Sequence, residues 1–189
     1  MGYFNPIPEK KFVLDEILKW IIDIVAVICL AAFLVIYMCD TAEMVGNSMA
    51  PAINNAEGVL INKIAYNIGS PERFDVIVFL DDDGRETIKR IIGLPGEQIK
   101  IVDSKIYIKN SDGEQVLEDI YFDEKYESGY VSEYIEIPMG EYFVMGDSRN
   151  VSEDSRFEYV GNIKEEDIIG KAWLIYSPFS RIGFIDLKK

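Results

Sequence analysis

An apolar run of about twenty residues near the start of the chain constrains the fold most strongly. The run extends from Trp20 to Cys39 and carries no charge from Ile24 onward. As a helix, it would be about as long as the ~30 Å hydrocarbon core of a bilayer is thick. A cleaved signal peptide would have a shorter apolar core that ends in small residues, whereas residues 37–40 are mostly large. The sequence therefore predicts a transmembrane anchor, with a buried helix of a soluble protein as the alternative.

The basic residues around this run predict its direction. Three lysines precede it within residues 10–19, and the next Lys or Arg is Lys63. Basic residues concentrate on the cytoplasmic side of a membrane segment. Residues 1–19 are therefore predicted to be a cytoplasmic segment, residues 20–39 the transmembrane anchor, and residues 40–189 an extracytoplasmic domain.

The composition excludes several classes of function. A net charge of −14 would repel the phosphates of nucleic acid. The chain has no histidine, and its two cysteines, Cys29 and Cys39, both lie in the apolar run. On a helix they would be about 15 Å apart, which is too far for a disulfide. The sequence therefore predicts no nucleic acid partner, no metal site and no cofactor.

The residues after the apolar run predict a mostly β fold. Short runs rich in Val, Ile, Phe and Tyr alternate with turn signals at residues 81–84 and at Asp103-Ser104. An acidic and aromatic stretch, residues 111–132, is predicted to be a loop or an accessory hairpin, so that residues 103–140 would form a small accessory β region. The predicted strands are residues 58–64, 74–80, 86–92, 98–102, 105–108, 134–137, 142–145 and 172–176.

A serine nucleophile in a chain without histidine needs another base, and lysine is the candidate. Ser48 lies between Gly46 and Pro51, in a sequence typical of a tight turn whose backbone N–H groups can approach a ligand. Lys89 lies among isoleucines in a predicted strand, where burial would favour the neutral amine. Taken singly, an ordinary turn serine and a surface lysine remain the alternatives.

A third group of polar residues follows a predicted strand. Residues 146–156 contain two arginines, two aspartates and three serines. This density is typical of a hydrogen-bonded loop in which Asp–Arg pairs fix the backbone. A hydroxyl in this loop could hydrogen-bond to a neutral lysine amine, and the alternative is a charged surface loop.

These blocks, in this order behind an anchor, closely resemble bacterial type I signal peptidases, in the short form common in Gram-positive bacteria. The blocks are residues 48–51, 74–79, 89–97 and 146–156. The resemblance implies a signal-peptidase-type, β-rich catalytic domain after one N-terminal transmembrane helix. It also implies a serine endopeptidase, bound to the lipid bilayer, that cleaves signal-peptide-bearing preproteins after Ala-x-Ala-like sites.

The resemblance also implies a role for each site residue. Ser48 would be the nucleophile, and its backbone N–H would serve the oxyanion hole. Lys89 would be the general base and then the acid that protonates the leaving amine. Ser152 would orient the Lys89 amine, and Gly46 would shape the turn near the oxyanion hole. The residues implied to hold the loop are Asp147, Arg149, Asp154 and Arg156.

Two positions depart from the family pattern. Ser148 stands where Asn is usual, which is a small polar exchange. Gly46 stands where some members have a serine whose hydroxyl helps the oxyanion hole, so the second oxyanion donor stays open. The apolar Met44, Val45 and Met49 follow the anchor closely and are interpreted either as a lipid-facing edge beside Ser48 or as core.

Three other functions are weighed against this interpretation. A dedicated peptidase of one secretion or pilus system would carry the same motifs, as would a catalytically silent, membrane-anchored relative. A self-cleaving repressor is disfavoured, because an anchor stands where a DNA-binding module would be needed. The oligomeric state stays open.

Overall fold

The structure is a computed structural model that describes residues 9–117 and 125–185. The chain divides into two compact units, Met1–Met38 and Cys39–Lys189. Parts of the predicted cytoplasmic segment and of the predicted accessory region, residues 1–8 and 118–124, lie outside the described residues.

The first unit is a single helix, α1, which covers Glu9–Met38. It begins well before the predicted anchor and ends one residue earlier than the apolar run, because Cys39 already belongs to a strand. The side chains described in this helix are exposed, including Trp20 at 69%. Within the described residues, no helix is long and apolar enough to cross a membrane.

Two antiparallel sheets form the second unit, which confirms the predicted mostly β fold class. The longest strand of the described part is β11, with ten residues, Ile168–Ser177. The short helical elements are α2 (Ala65–Ile68) and two 3-10 turns, Glu165–Asp167 and Phe179–Arg181. The strands are β1 (Cys39–Glu43), β2 (Gly58–Asn62), β3 (Val76–Leu80), β4 (Glu86–Gly93), β5 (Gln98–Val102), β6 (Lys105–Asn110), β7 (Gly113–Leu117), β8 (Ile135–Glu136), β9 (Glu141–Met145), β10 (Ile163–Lys164), β11 (Ile168–Ser177) and β12 (Gly183–Phe184).

The larger sheet places two mostly buried strands, β3 and β4, at its centre. Its order in the described part is β1-β2-β11-β3-β4-β9-β10, with β12 paired to β11. Strands β3 and β4 are buried on both faces over most of their length, and β3 is a continuous apolar run, whereas β4 carries Lys89 and Arg90 among its isoleucines. One face packs with Val59 and Ile61, and the other with Val144 and Ile163. A side chain on either face of β4 is therefore removed from water.

The smaller sheet has the order β7-β6-β5-β8 and includes part of the stretch interpreted as a loop or hairpin. Strand β7 pairs with β6 from Asn110 opposite Gly113. The turn at Asp103-Ser104 joins β5 to β6, and both residues have positive φ angles, 50° and 60°. Positive φ at both central residues is the geometry of the tight hairpin turn that Asp favours.

Candidate active site

Ser48 lies in a loop whose ends are closed by backbone hydrogen bonds. We call residues 44–57 the serine loop. The Met44 N–H donates to the carbonyl of Glu57 at 2.9 Å, and the Ala56 N–H donates to the carbonyl of Met44 at 2.8 Å. Because these bonds join the two ends, the loop is a compact unit fixed between β1 and β2.

Apolar side chains anchor the serine loop in the core. Met49 and Ile53 are fully buried, and Met44 is 3% exposed in the same cluster. Of the two interpretations of the methionines, the structure therefore supports core, because a flexible thioether fills the irregular space under the loop. Val45, by contrast, is 83% exposed.

Gly46 supplies the turn that precedes Ser48. Its φ of +86° lies in the region that side chains disfavour, and its N–H donates to Asn55 Oδ1 at 2.7 Å. This hydrogen bond ties the start of the serine loop to its far side. The Gly46 N–H is therefore already hydrogen-bonded within the serine loop.

Lys89 reaches Ser48 from the centre of the larger sheet. It lies in β4 opposite Ile77 of β3 and is 6% exposed. Its Nζ atom is 2.8 Å from the Oγ atom of Ser48. The structure therefore brings together two residues that are 41 positions apart in the sequence.

The surroundings of Lys89 favour its neutral form. Burial lowers the pKa of the Lys89 amine, because an ammonium loses hydration there. The charges of Asp154 and Glu153 act in the opposite direction, and that of Arg156 adds to the lowering. The net shift is downward, so the amine can accept the Ser48 proton at a lower pH than an ordinary lysine could.

In residues 146–156, which we call the Asp–Arg loop, an ion pair joins Asp154 to Arg156. The Asp154 carboxylate accepts hydrogen bonds from Arg156 Nε at 2.8 Å and from the Gly146 N–H at 3.0 Å. Arg156 also donates to the carbonyl of Arg149 at 2.5 Å and to that of Ser152 at 3.3 Å. Asp154 and Arg156 thus link both ends of the loop.

Asp147 does not pair inside this loop. It accepts two hydrogen bonds from Arg90, from Nε and from Nη2, both at 2.7 Å. Both residues are buried, and Arg90 also donates to the carbonyl of Phe74 at 2.8 Å. Sequence reasoning missed Arg90, although an arginine beside Lys89 in an isoleucine-rich strand signals a buried partner.

Arg149 contacts residues outside the Asp–Arg loop. Its Nη1 atom lies 3.6 Å from the Met145 sulfur, and its guanidinium lies 5.5 Å from the centre of the Tyr126 ring. Arg156 lies 5.4 Å from the centre of the same ring. Cation–π contacts with one tyrosine therefore connect the Asp–Arg loop to the chain that follows residues 118–124.

Ser152 and Ser48 approach each other at Gly146. The Ser148 N–H donates to the Ser48 carbonyl at 2.9 Å, which joins the two loops. A Cβ atom on Gly146 would overlap both this carbonyl oxygen and the Ser152 hydroxyl. Ser152 is 4% exposed, and no described residue is hydrogen-bonded to its hydroxyl, so the expected bond to Lys89 is not present.

No group of three or more His, Cys, Asp or Glu side chains that could hold a metal ion occurs in the part of the chain that the structure describes. The close contact at the site is instead between an amine and a hydroxyl. Such a pair suits nucleophilic attack by serine with lysine as the base.

Comparison with known proteins identifies the family. The family model for signal peptidase, peptidase S26, matches residues 17–177. Signal peptidase I U of Bacillus subtilis (strain 168) is 36% identical over 178 residues, covering 92% of this chain and 94% of that protein. Signal peptidase IB of Staphylococcus aureus (strain MRSA252) is 28% identical over 183 residues, covering 89% and 94%. The chain belongs to the signal peptidase S26 family and is a serine peptidase, which confirms the resemblance.

A solved structure is also similar in sequence. The crystal structure of a signal peptidase I from Enterococcus faecalis V583 is 32% identical. The similarity covers 53% of this chain and 95% of that chain, with a TM-score of 0.43.

Substitution of Gly146 tests the approach of the two loops. We expect Gly146→Ala to lower the rate of peptide cleavage by about 10- to 100-fold, because the new methyl displaces the Ser48 backbone and misplaces the reacting oxygen. Gly69→Ala is the control, since its Cβ would come no closer than 3.5 Å to a neighbouring atom. Equal rates for both variants would contradict a close approach at Gly146.

Proposed function

We propose that the chain is a membrane-bound serine endopeptidase that cleaves N-terminal signal peptides from exported preproteins by a Ser48/Lys89 dyad. The observation that carries the proposal is the 2.8 Å contact between Lys89 Nζ and Ser48 Oγ in a family of signal peptidases. This contact supports an active enzyme over a silent relative.

The proposed reaction begins with Lys89 in its neutral form. Lys89 takes the proton of the Ser48 hydroxyl as Oγ attacks the scissile carbonyl carbon. The resulting ammonium then gives its proton to the leaving amine, the peptide bond breaks, and an ester joins Ser48 to the signal peptide. Lys89, neutral again, activates a water molecule that hydrolyses this ester.

The backbone of the serine loop supplies one proposed donor for the oxyanion. The Ser48 N–H would face the oxygen of the tetrahedral intermediate, where a fixed donor stabilises developing charge. Gly46 has no hydroxyl to add, and its N–H is bound to Asn55. Gly46 would therefore act through the shape of the turn, and the second donor is left unassigned.

The Asp–Arg loop is proposed to hold the dyad in place. Asp154 and Arg156 would fix the loop from within, and Asp147 would fix it to Arg90 on β4. Arg149 would support it through Tyr126. Ser152 is proposed to orient the Lys89 amine after its hydroxyl turns toward it, which its burial beside the Ser48 carbonyl supports.

The substrates are proposed to be preproteins with small residues before the cut, in Ala-x-Ala-like sites, presented at the lipid bilayer. Residues 20–39 would be a single-pass anchor, with the N-terminus in the cytoplasm and the catalytic domain outside. The lysine distribution and the family membership support this topology.

Thiol labelling tests this topology in a background that carries Cys29→Ser and Cys39→Ser. We expect a membrane-impermeant maleimide to label Asp112→Cys on intact cells, because position 112 is exposed in the proposed outer domain. Lys10→Cys is the paired control and should react only after the membrane is opened. The reverse pattern, or equal labelling of both on intact cells, would contradict the orientation.

The pH dependence of cleavage tests the dyad. We expect kcat/KM on an Ala-x-Ala preprotein in detergent to rise with pH, since the neutral amine is the active base. The midpoint should lie below the ordinary lysine value of 10.5, because burial lowers the pKa of Lys89. Ser48→Ala and Lys89→Ala should each abolish cleavage.

Lys105→Ala is the matched control for the lysine substitution, because Lys105 is exposed on the smaller sheet. It should cleave at the wild-type rate and with the wild-type pH profile. Undiminished cleavage by Lys89→Ala would remove this lysine from the mechanism.

A further inference from the structure

The C-terminal segment of the described chain packs against the serine loop. Residues 179–185 lie beyond the stretch 17–177 that the family model matches. Ile185 is 3% exposed in the same apolar cluster as Met49 and Ile53, and its N–H donates to the carbonyl of Trp173 at 3.0 Å. The segment is thus anchored both to β11 and to the core beneath Ser48.

Arg181 of this segment binds the serine loop at several points. Its Nε atom donates to Glu57 Oε1 at 2.8 Å. Its Nη2 atom donates to the carbonyl of Pro51 at 3.3 Å and, more weakly, to that of Ala52 at 3.5 Å. One planar guanidinium therefore joins the end of the loop to the residues that closely follow Ser48.

Glu57 is the buried half of this ion pair. Its side chain is 4% exposed, whereas that of Arg181 is 45% exposed. The Glu57 carboxylate also accepts hydrogen bonds from the N–H and the Nδ2 of Asn54, at 2.9 and 3.0 Å. Burial alone would raise the pKa of Glu57, but the hydrogen bonds from Arg181 and Asn54 outweigh it and the pKa is lowered. The carboxylate is therefore charged at neutral pH and requires a cation beside it.

We propose that Arg181 is a positioning residue for the Ser48 nucleophile. By holding Glu57 and the Pro51 carbonyl together, its guanidinium fixes the serine loop where Ser48 Oγ meets Lys89 Nζ. Arg181 does not touch the reacting atoms, so its effect is on geometry. The inference rests on the proposed Ser48/Lys89 mechanism and adds to it a residue outside the family match.

A positioning role and a purely stabilising role predict different results. Removal of Arg181 leaves the buried Glu57 carboxylate without its cation, so Tm should fall in either case, and a purely stabilising role predicts that the folded enzyme keeps its kcat. A loop that shifts by a fraction of an ångström should instead lower kcat, since attack depends on the alignment of Ser48. Burial of Lys89 in β4 does not involve Arg181, so the pH midpoint should not change.

The test compares Arg181→Ala with the wild type in full-length protein. At a temperature where both proteins are fully folded, we expect kcat to fall by about 10- to 100-fold with little change in KM or in the pH midpoint. Added guanidinium ion, at concentrations that do not denature the protein, should restore part of kcat by binding beside Glu57. Lys164→Ala is the control, because Lys164 pairs with Glu166 at 3.8 Å on an exposed surface, and guanidinium should not raise its activity.

Hydrogen exchange of the serine loop tests, without an activity assay, whether Arg181 holds this loop in position. We expect Arg181→Ala to speed the exchange of the Ile53 and Asn54 amides while strands β3 and β4 stay protected. Unchanged exchange in the loop, or wild-type kcat, would overturn the inference. Absence of cleavage by the wild type would instead count against the proposed function, and the exchange result would still show whether Arg181 holds the loop.

Discussion

The contact between a buried lysine amine and a serine hydroxyl is the interaction on which the site depends. Lys89 comes from the centre of the larger sheet, and Ser48 comes from the loop between β1 and β2. The Asp–Arg loop contacts the serine loop at Gly146, which lies beside the Ser48 carbonyl. Sheet register, apolar anchors and backbone hydrogen bonds fix these segments relative to one another.

Lys89 and Arg90 are adjacent basic residues of β4, but the fold gives them different partners. They point to opposite faces of the strand, and both are buried. Arg90 meets the Asp147 carboxylate through two hydrogen bonds, which suits a group that stays charged. Lys89 meets a hydroxyl instead, so burial lowers its pKa. Arg90 joins the Asp–Arg loop to the sheet, and Lys89 is the proposed base.

Much of this arrangement follows from sequence patterns, and the remainder depends on tertiary contacts. Apolar runs and turn residues predicted most strands, because both are patterns of residues that are neighbours in the sequence. The partner of Asp147 was missed, since Arg90 is 57 residues away in the chain. The packing of Met44 in the core and the hydrogen bond from Arg181 to Glu57 also depend on residues distant in sequence. Local patterns carry no information about such partners.

A direct titration of the Lys89 amine is the measurement that tests the account most directly. Selective 15N labelling of lysine, with Lys89→Met to assign the signal, would follow the Nζ resonance across pH in the folded protein. The account predicts a pKa below the ordinary 10.5, in the wild type and in Ser48→Ala, because burial is the largest cause of the shift. An amine that stays protonated up to 10.5 or above would contradict a lysine base.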